Sequence, residues 1–120
     1  MALNIEEMSR KKREMSEKDK KQEELRKRQH KLNSIKTDFE AGKIKSFEQI
    51  FAVMVESRLA AELKMGFVTF RNKVNNPGDF TNNELVRFAE LVDVDINIIL
   101  KFIFSLMKNK SKNNSKIDGV

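Results

Sequence analysis

Nucleophilic and metal chemistry have few parts in this chain, which holds no cysteine and a single histidine, His30, set among Lys and Arg in a charged run. A Ser-His or Cys-His nucleophile needs its base alongside, and a zinc site needs several clustered Cys, His or carboxylate ligands. Neither set is present. The neighbouring carboxylates Asp93 and Asp95 read as a turn residue and a helix cap rather than as an acid and a base. The loop NNPGDF, residues 75–80, contains one glycine and is no phosphate cradle of the Walker type. No catalytic residue, metal or cofactor is expected, and the inventory points away from an enzyme. His30 is expected simply to be exposed.

Charge is the chemistry that remains, and it is unevenly placed. Residues 1–36 carry 12 Lys+Arg against 7 acids, residues 37–107 carry 8 against 10, and residues 108–120 carry 4 against 1. The net +6 therefore sits on the ends. Such a chain is attracted to polyanions in general, and charge alone does not separate nucleic acid from an anionic membrane. Other features do narrow the setting. The absence of cysteine suits a reducing cytoplasm. The first residues, MALNIEEMSRKK, have no apolar stretch of the secretory kind. The most apolar run, Ile96 to Met107, is 12 residues long, against the ~20 that span a bilayer. A soluble, cytoplasmic protein without a membrane partner is expected.

The elements follow from periodicity and caps. Residues 6–36 are strong helix formers with mixed charges at i,i+4 spacing and no Gly or Pro, which predicts a helix. If Met8 and Met15 are heptad a positions, Leu25, Leu32 and Phe39 fall at d, but Lys11, Lys18, Gln22, Gln29 and Lys36 interrupt the seam. Residues 1–40 are thus either a weak coiled coil or a solvated helical arm, and the arm is a candidate site for a protein partner. Gly42 breaks the pattern, and a compact domain is expected over 44–107. Ser46 with Gln49 reads as a capping box for a helix running to about Val55, with Phe47, Ile50, Phe51, Met54 and Val55 on one face. Ser57 is expected to cap a second helix with Leu59, Ala60 and Leu63 inward. After Gly66 a third helix, about 67–75, would bury Phe67, Phe70 and Val74, and Pro77 and Gly78 end it. Thr81 with Glu84 opens a fourth helix carrying Leu85, Phe88, Ala89 and Val92. Asp95 caps a fifth, INIILKFIFSLM, in which nine of twelve residues are apolar. A helix apolar nearly all round must be covered on more than one side. Its surplus face, Ile98, Phe102 and Phe104, is expected to meet a second chain, making a homodimer, or the N-terminal arm. The tail, residues 108–120, is Lys/Asn/Ser-rich and expected to be disordered.

Five short helices, with a Leu-Ala-x-x-Leu helix, a tight turn and another short helix, resemble the phage-repressor (Cro/repressor) helix-turn-helix family over about residues 46–106. Leu59, Ala60, Leu63, Met65, Phe70 and Val74 match its framework, and the stretch from Thr81 to Leu100 is similar to its fourth helix, short connection and fifth-helix start. The all-α, five-helix fold expected from the caps is the fold this resemblance implies. It also implies double-stranded DNA as partner, with the third helix in the major groove as in a small transcriptional regulator. By position, Phe67, Val68, Thr69, Arg71 and Asn72 would face bases, and Arg58, Lys64, Lys73, Asn75 and Asn76 would serve phosphates. The chain departs from the family at two points. The turn glycine falls on Lys64, with glycine two residues later at Gly66, and Phe67 and Val68 stand where polar readers are usual. Two alternatives stay open: a protein-interaction or assembly module that uses the fold as scaffold, and sequence-neutral nucleic-acid attraction through the arm alone.

Overall fold

A computed structural model describes the backbone of residues 17–118 and the side chains of residues 17–109. It is all-α, with no strand among the described residues: α1 Glu17–Glu40, α2 Phe47–Phe51, α3 Glu56–Glu62, α4 Phe67–Asn75, a 3-10 turn Pro77–Asp79, α5 Asn82–Val92 and α6 Ile96–Asp118. The heptad positions Met8, Lys11 and Met15 lie outside the described residues. The chain forms two compact units, one up to His30 and one from Lys31 onward. In the first, the described residues are a charged helical stretch on which Leu25 is exposed and Glu23 pairs with Arg26.

The second unit has its core where aromatic side chains converge. Seven of the nine phenylalanines, Phe39, Phe47, Phe51, Phe70, Phe80, Phe88 and Phe102, form one network of stacked and edge-to-face rings. Phe47 is its hub, touching Phe51, Phe70, Phe80, Phe88 and Phe102 at centroid distances from 5.1 to 6.2 Å. Such separations are typical of favourable aromatic pairs. Around it pack Ile50, Met54, Leu59, Leu63, Leu85, Val92, Ile99 and Ile103, all buried.

Burial begins well before the Ser46 box. Leu32, Ile35 and Phe39, spaced three and four apart on one face of α1, are 3%, 1% and 5% exposed. The charged helix therefore ends as a core element of the domain, and the core is not confined to residues 44–107. Lys36, on the same helix, donates to Asp93 just after α5 at 2.9 Å. That hydrogen bond, reinforced by the Asp93 charge, raises the Lys36 ammonium above its ordinary pKa. The stability this raised lysine contributes is lost as pH rises through its folded-state value.

Three helix starts are capped as the residue types demand. Thr81 Oγ1 accepts from the Glu84 N–H at 3.2 Å while Glu84 accepts from the Thr81 N–H at 2.8 Å. Asp95 accepts from the Asn97 N–H at 2.8 Å, opening α6. Gln49 accepts from the Ser46 N–H at 3.1 Å and donates to the Lys43 carbonyl at 3.0 Å. Other expectations need correcting. α2 stops at Phe51, because the Val53 N–H turns to the Ile50 carbonyl three residues back and tightens the chain. α3 starts at Glu56 with Val55 in the capping position, so Ser57 lies inside the helix and caps nothing. α6 does not stop near Met107 but continues to Asp118, and no Gly or Pro interrupts the lysine- and asparagine-rich segment before that point. Among the described residues, no helix is long and apolar enough to cross a membrane.

Candidate nucleic-acid interface

The connection from α3 to α4 is set by backbone hydrogen bonds. The Lys64 N–H donates to the Ala61 carbonyl at 3.0 Å and the Met65 N–H to the Ala60 carbonyl at 2.9 Å. This is the Schellman closure, which places the intervening residue in the left-handed region. That residue is Lys64, with φ of 59°. The same pattern closes α1 at Gly42 and α5 at Asp93, with φ of 70° and 56°. The turn thus keeps its geometry without glycine at Lys64, and Gly66 has an ordinary extended conformation ahead of α4. A side chain in the left-handed region is strained, so Lys64→Gly is expected to raise stability by about 0.5–1 kcal/mol, less than the full strain because glycine also loosens the unfolded chain. Urea denaturation reads this directly; an unchanged or lowered midpoint would mean that the lysine stem contributes compensating contacts.

α4 leans on the core through Phe70, which is fully buried, with Lys73 and Val74 half-buried. Phe67, Val68, Thr69, Arg71 and Asn72 are all exposed, so the five candidate base-facing residues share the solvent side of the helix. Phe67 was expected to be inward, but it is 42% exposed, and Val68 is 70% exposed. Among residues 67–72 only Phe70 is buried, and the three residues at the start of the helix are all exposed.

The candidate phosphate contacts fare differently from one another. Arg58 and Lys64 are exposed. Asn75 and Asn76 are also exposed, and the Asn76 amide donates to the Asn72 carbonyl at 3.4 Å. Lys73 is already engaged: its ammonium donates to both Glu84 oxygens at 2.7 Å, with the two side chains only 19% and 17% exposed. Glu84 thereby serves two masters, capping α5 and binding α4. Burial works to raise the Glu84 pKa, but the Lys73 ammonium and the Thr81 donors outweigh it and hold the carboxyl below its ordinary value. A depressed carboxylate stabilises the fold at neutral pH and loses that contribution as pH falls through the folded value. Glu84→Gln is therefore expected to lower stability by about 1 kcal/mol at pH 7. The gap from the parent should shrink on acidification below the carboxylate range; a gap independent of pH would sink the ion-pair account.

Three contributors were not visible in the residue pattern. Arg87, on α5, donates to the Leu63 carbonyl at 2.9 Å and satisfies the C-terminal end of α3. Glu56, at the start of α3, faces Arg71 with 4.0 Å between Oε1 and Nε. Glu84 was assigned only to its cap. Each pairs residues 11 to 24 positions apart, a separation at which helical periodicity carries no signal.

The residues expected at an oligomer interface also divide. Phe102 is 6% exposed and sits edge-on against Phe39 and Phe47 at 5.3 and 5.1 Å. It is a core residue, because α1 covers the face of α6 that seemed in surplus. Ile98 is half-buried and lines, with Phe39 and Ile44, an open cleft of about 300 Å³. Phe104 alone of the three is well exposed, at 58%. Among the described residues, no cluster of three or more His, Cys, Asp or Glu could hold a metal ion. Compared with family models, curated proteins and solved structures, the chain matches none.

Proposed function

We propose that this chain is a small DNA-binding transcriptional regulator of phage or mobile-element type. In this reading α3, the Lys64 turn and α4 act as a helix-turn-helix, α4 lies in the major groove, and a second copy pairs through α6 around the exposed Phe104. The supporting observation is the exposure of residues 67, 68, 69, 71 and 72 together at the N-terminal end of a helix anchored by Phe70. A helix exposed at its start in this way can enter a groove roughly 12 Å wide, and its first two turns are the part that meets base edges. Thr69 and Asn72 supply donors and acceptors, Arg71 supplies a guanidinium, and Phe67 and Val68 supply surface for a thymine methyl.

One observation favours a second reading. Exposed Phe67 and Val68 also suit a protein partner, for which α4 would be an apolar anchor and duplex binding would be only the weak attraction of lysine-rich ends. Selection from a random-sequence duplex pool at ~150 mM salt separates the two, since sequence-neutral attraction is steeply reduced there. The regulator reading expects one enriched motif, and expects Arg71→Ala with Asn72→Ala to lose it while melting like the parent. No enrichment by the parent protein would overturn the DNA reading.

A further inference from the structure

The guanidinium of Arg71 is braced from two elements. Phe67, one helical turn earlier on α4, places its ring centroid 5.8 Å from the guanidinium carbon. Glu56 approaches the Nε side from α3, with Oε1 at 4.0 Å, and is itself only 24% exposed while Arg71 is 64% exposed. A carboxylate on the Nε side leaves the edge formed by the two terminal nitrogens, and among the described residues no acidic group pairs with that edge. It is a planar fork of two donors on a side chain 64% exposed, flanked by the Phe67 ring and the Glu56 carboxylate.

We infer that Arg71 determines specificity for one guanine, gripping its O6 and N7 with the two terminal nitrogens, and that Glu56 is the residue positioning it to do so. This rests on the DNA reading above and adds the base and the brace. Two physical arguments select a guanine edge over a phosphate. Glu56 carries a full negative charge beside the guanidinium, which repels a phosphate but only weakly affects a neutral base edge with two acceptors. The acidic neighbour also lowers the positive potential a phosphate would meet there, so the contribution of Arg71 shifts from general affinity to discrimination. Bracing further reduces the side-chain freedom lost on binding.

The test uses the duplex motif selected by the full-length protein, with each guanine replaced in turn by 7-deazaguanine, which lacks the N7 acceptor. At one position the replacement is expected to weaken the parent roughly tenfold. Arg71→Lys keeps the charge but loses the fork, so it should bind with the same salt dependence and be indifferent to that replacement. Glu56→Gln should flatten discrimination at the same position while raising affinity for unrelated duplexes. If Glu56→Gln raises affinity for every duplex and leaves discrimination untouched, Glu56 is an electrostatic neighbour and the inference fails. It fails also if no guanine in the motif depends on Arg71. Absence of any motif is a different result and overturns the DNA reading itself, this inference included.

Discussion

Phe47→Ala is expected to destabilise the domain by about 3–5 kcal/mol, the range for removing a large aromatic from a packed core. The upper end is favoured because the ring is 3% exposed and borders five other phenylalanines, so its loss leaves a cavity that no single neighbour can fill. Against a total stability of roughly 5–15 kcal/mol, that loss shows as a fall of ~15 °C or more in melting temperature for a domain of this size. Val86→Ala is the control, since that side chain is 45% exposed and outside the network; it should change stability by less than about 1 kcal/mol. Circular dichroism during thermal and urea denaturation reads both. A Phe47→Ala variant melting within a few degrees of the parent would mean that the aromatic network is not what holds α2 to α4, α5 and α6.

What the amino-acid pattern made legible was local. The Thr81–Glu84 box and the Asp95 cap involve residues two or three apart, and both form. The inward placement of Leu59, Ala60, Leu63 and Phe70 follows from helical spacing, and all four are buried. Ser57 misled because a capping side chain is only a local preference; the chain enters α3 through Val55 with no side-chain cap at all. At longer range the open question was partnership. The last d-type positions of α1 were legible as a thin apolar stripe, but its choice of its own domain over a second chain was left open. Of the two covers expected for the surplus face of α6, a second chain or the N-terminal arm, it is the arm that covers Phe102, through Phe39.

The candidate site shows the same division. That residues 67–72 lie on a short helix after a tight turn could be read from Gly66, Pro77 and the spacing of Phe70 and Val74. Propensity alone could not place Lys64 in the left-handed turn position, which it reserves for glycine; only the position-by-position resemblance pointed there. Nor could the charge pairing be read. Lys73 and Arg71 look equivalent as nearby cations in a row, yet Glu84 binds one on both carboxylate oxygens at 2.7 Å while Glu56 stands 4.0 Å from the other. One of the cations expected to serve phosphate, Lys73, is occupied by the fold, while Arg71 is the more exposed of the two.

Truncation should be decisive, and its breakpoint matters. Removing residues 1–40 takes away Leu32, Ile35 and Phe39, each 5% exposed or less, together with the Lys36 link to Asp93. At roughly 1.5–3 kcal/mol for each buried side chain, the loss is comparable to the whole stability of a small domain, and it uncovers Phe88 and Phe102. That truncated chain is expected to lack a cooperative melt. Removal of residues 1–30 cuts at the boundary between the compact units and leaves the three core residues in place; it should retain a single cooperative transition close to the parent's. Differential scanning calorimetry on the two chains is sufficient, and a cooperative, parent-like melt after removal of residues 1–40 would show that α1 is dispensable to the core. The difference bears on function as well. Loss of DNA binding after removal of residues 1–40 would follow from unfolding of α4's support, whereas loss after removal of residues 1–30 would place the contact in the charged helix.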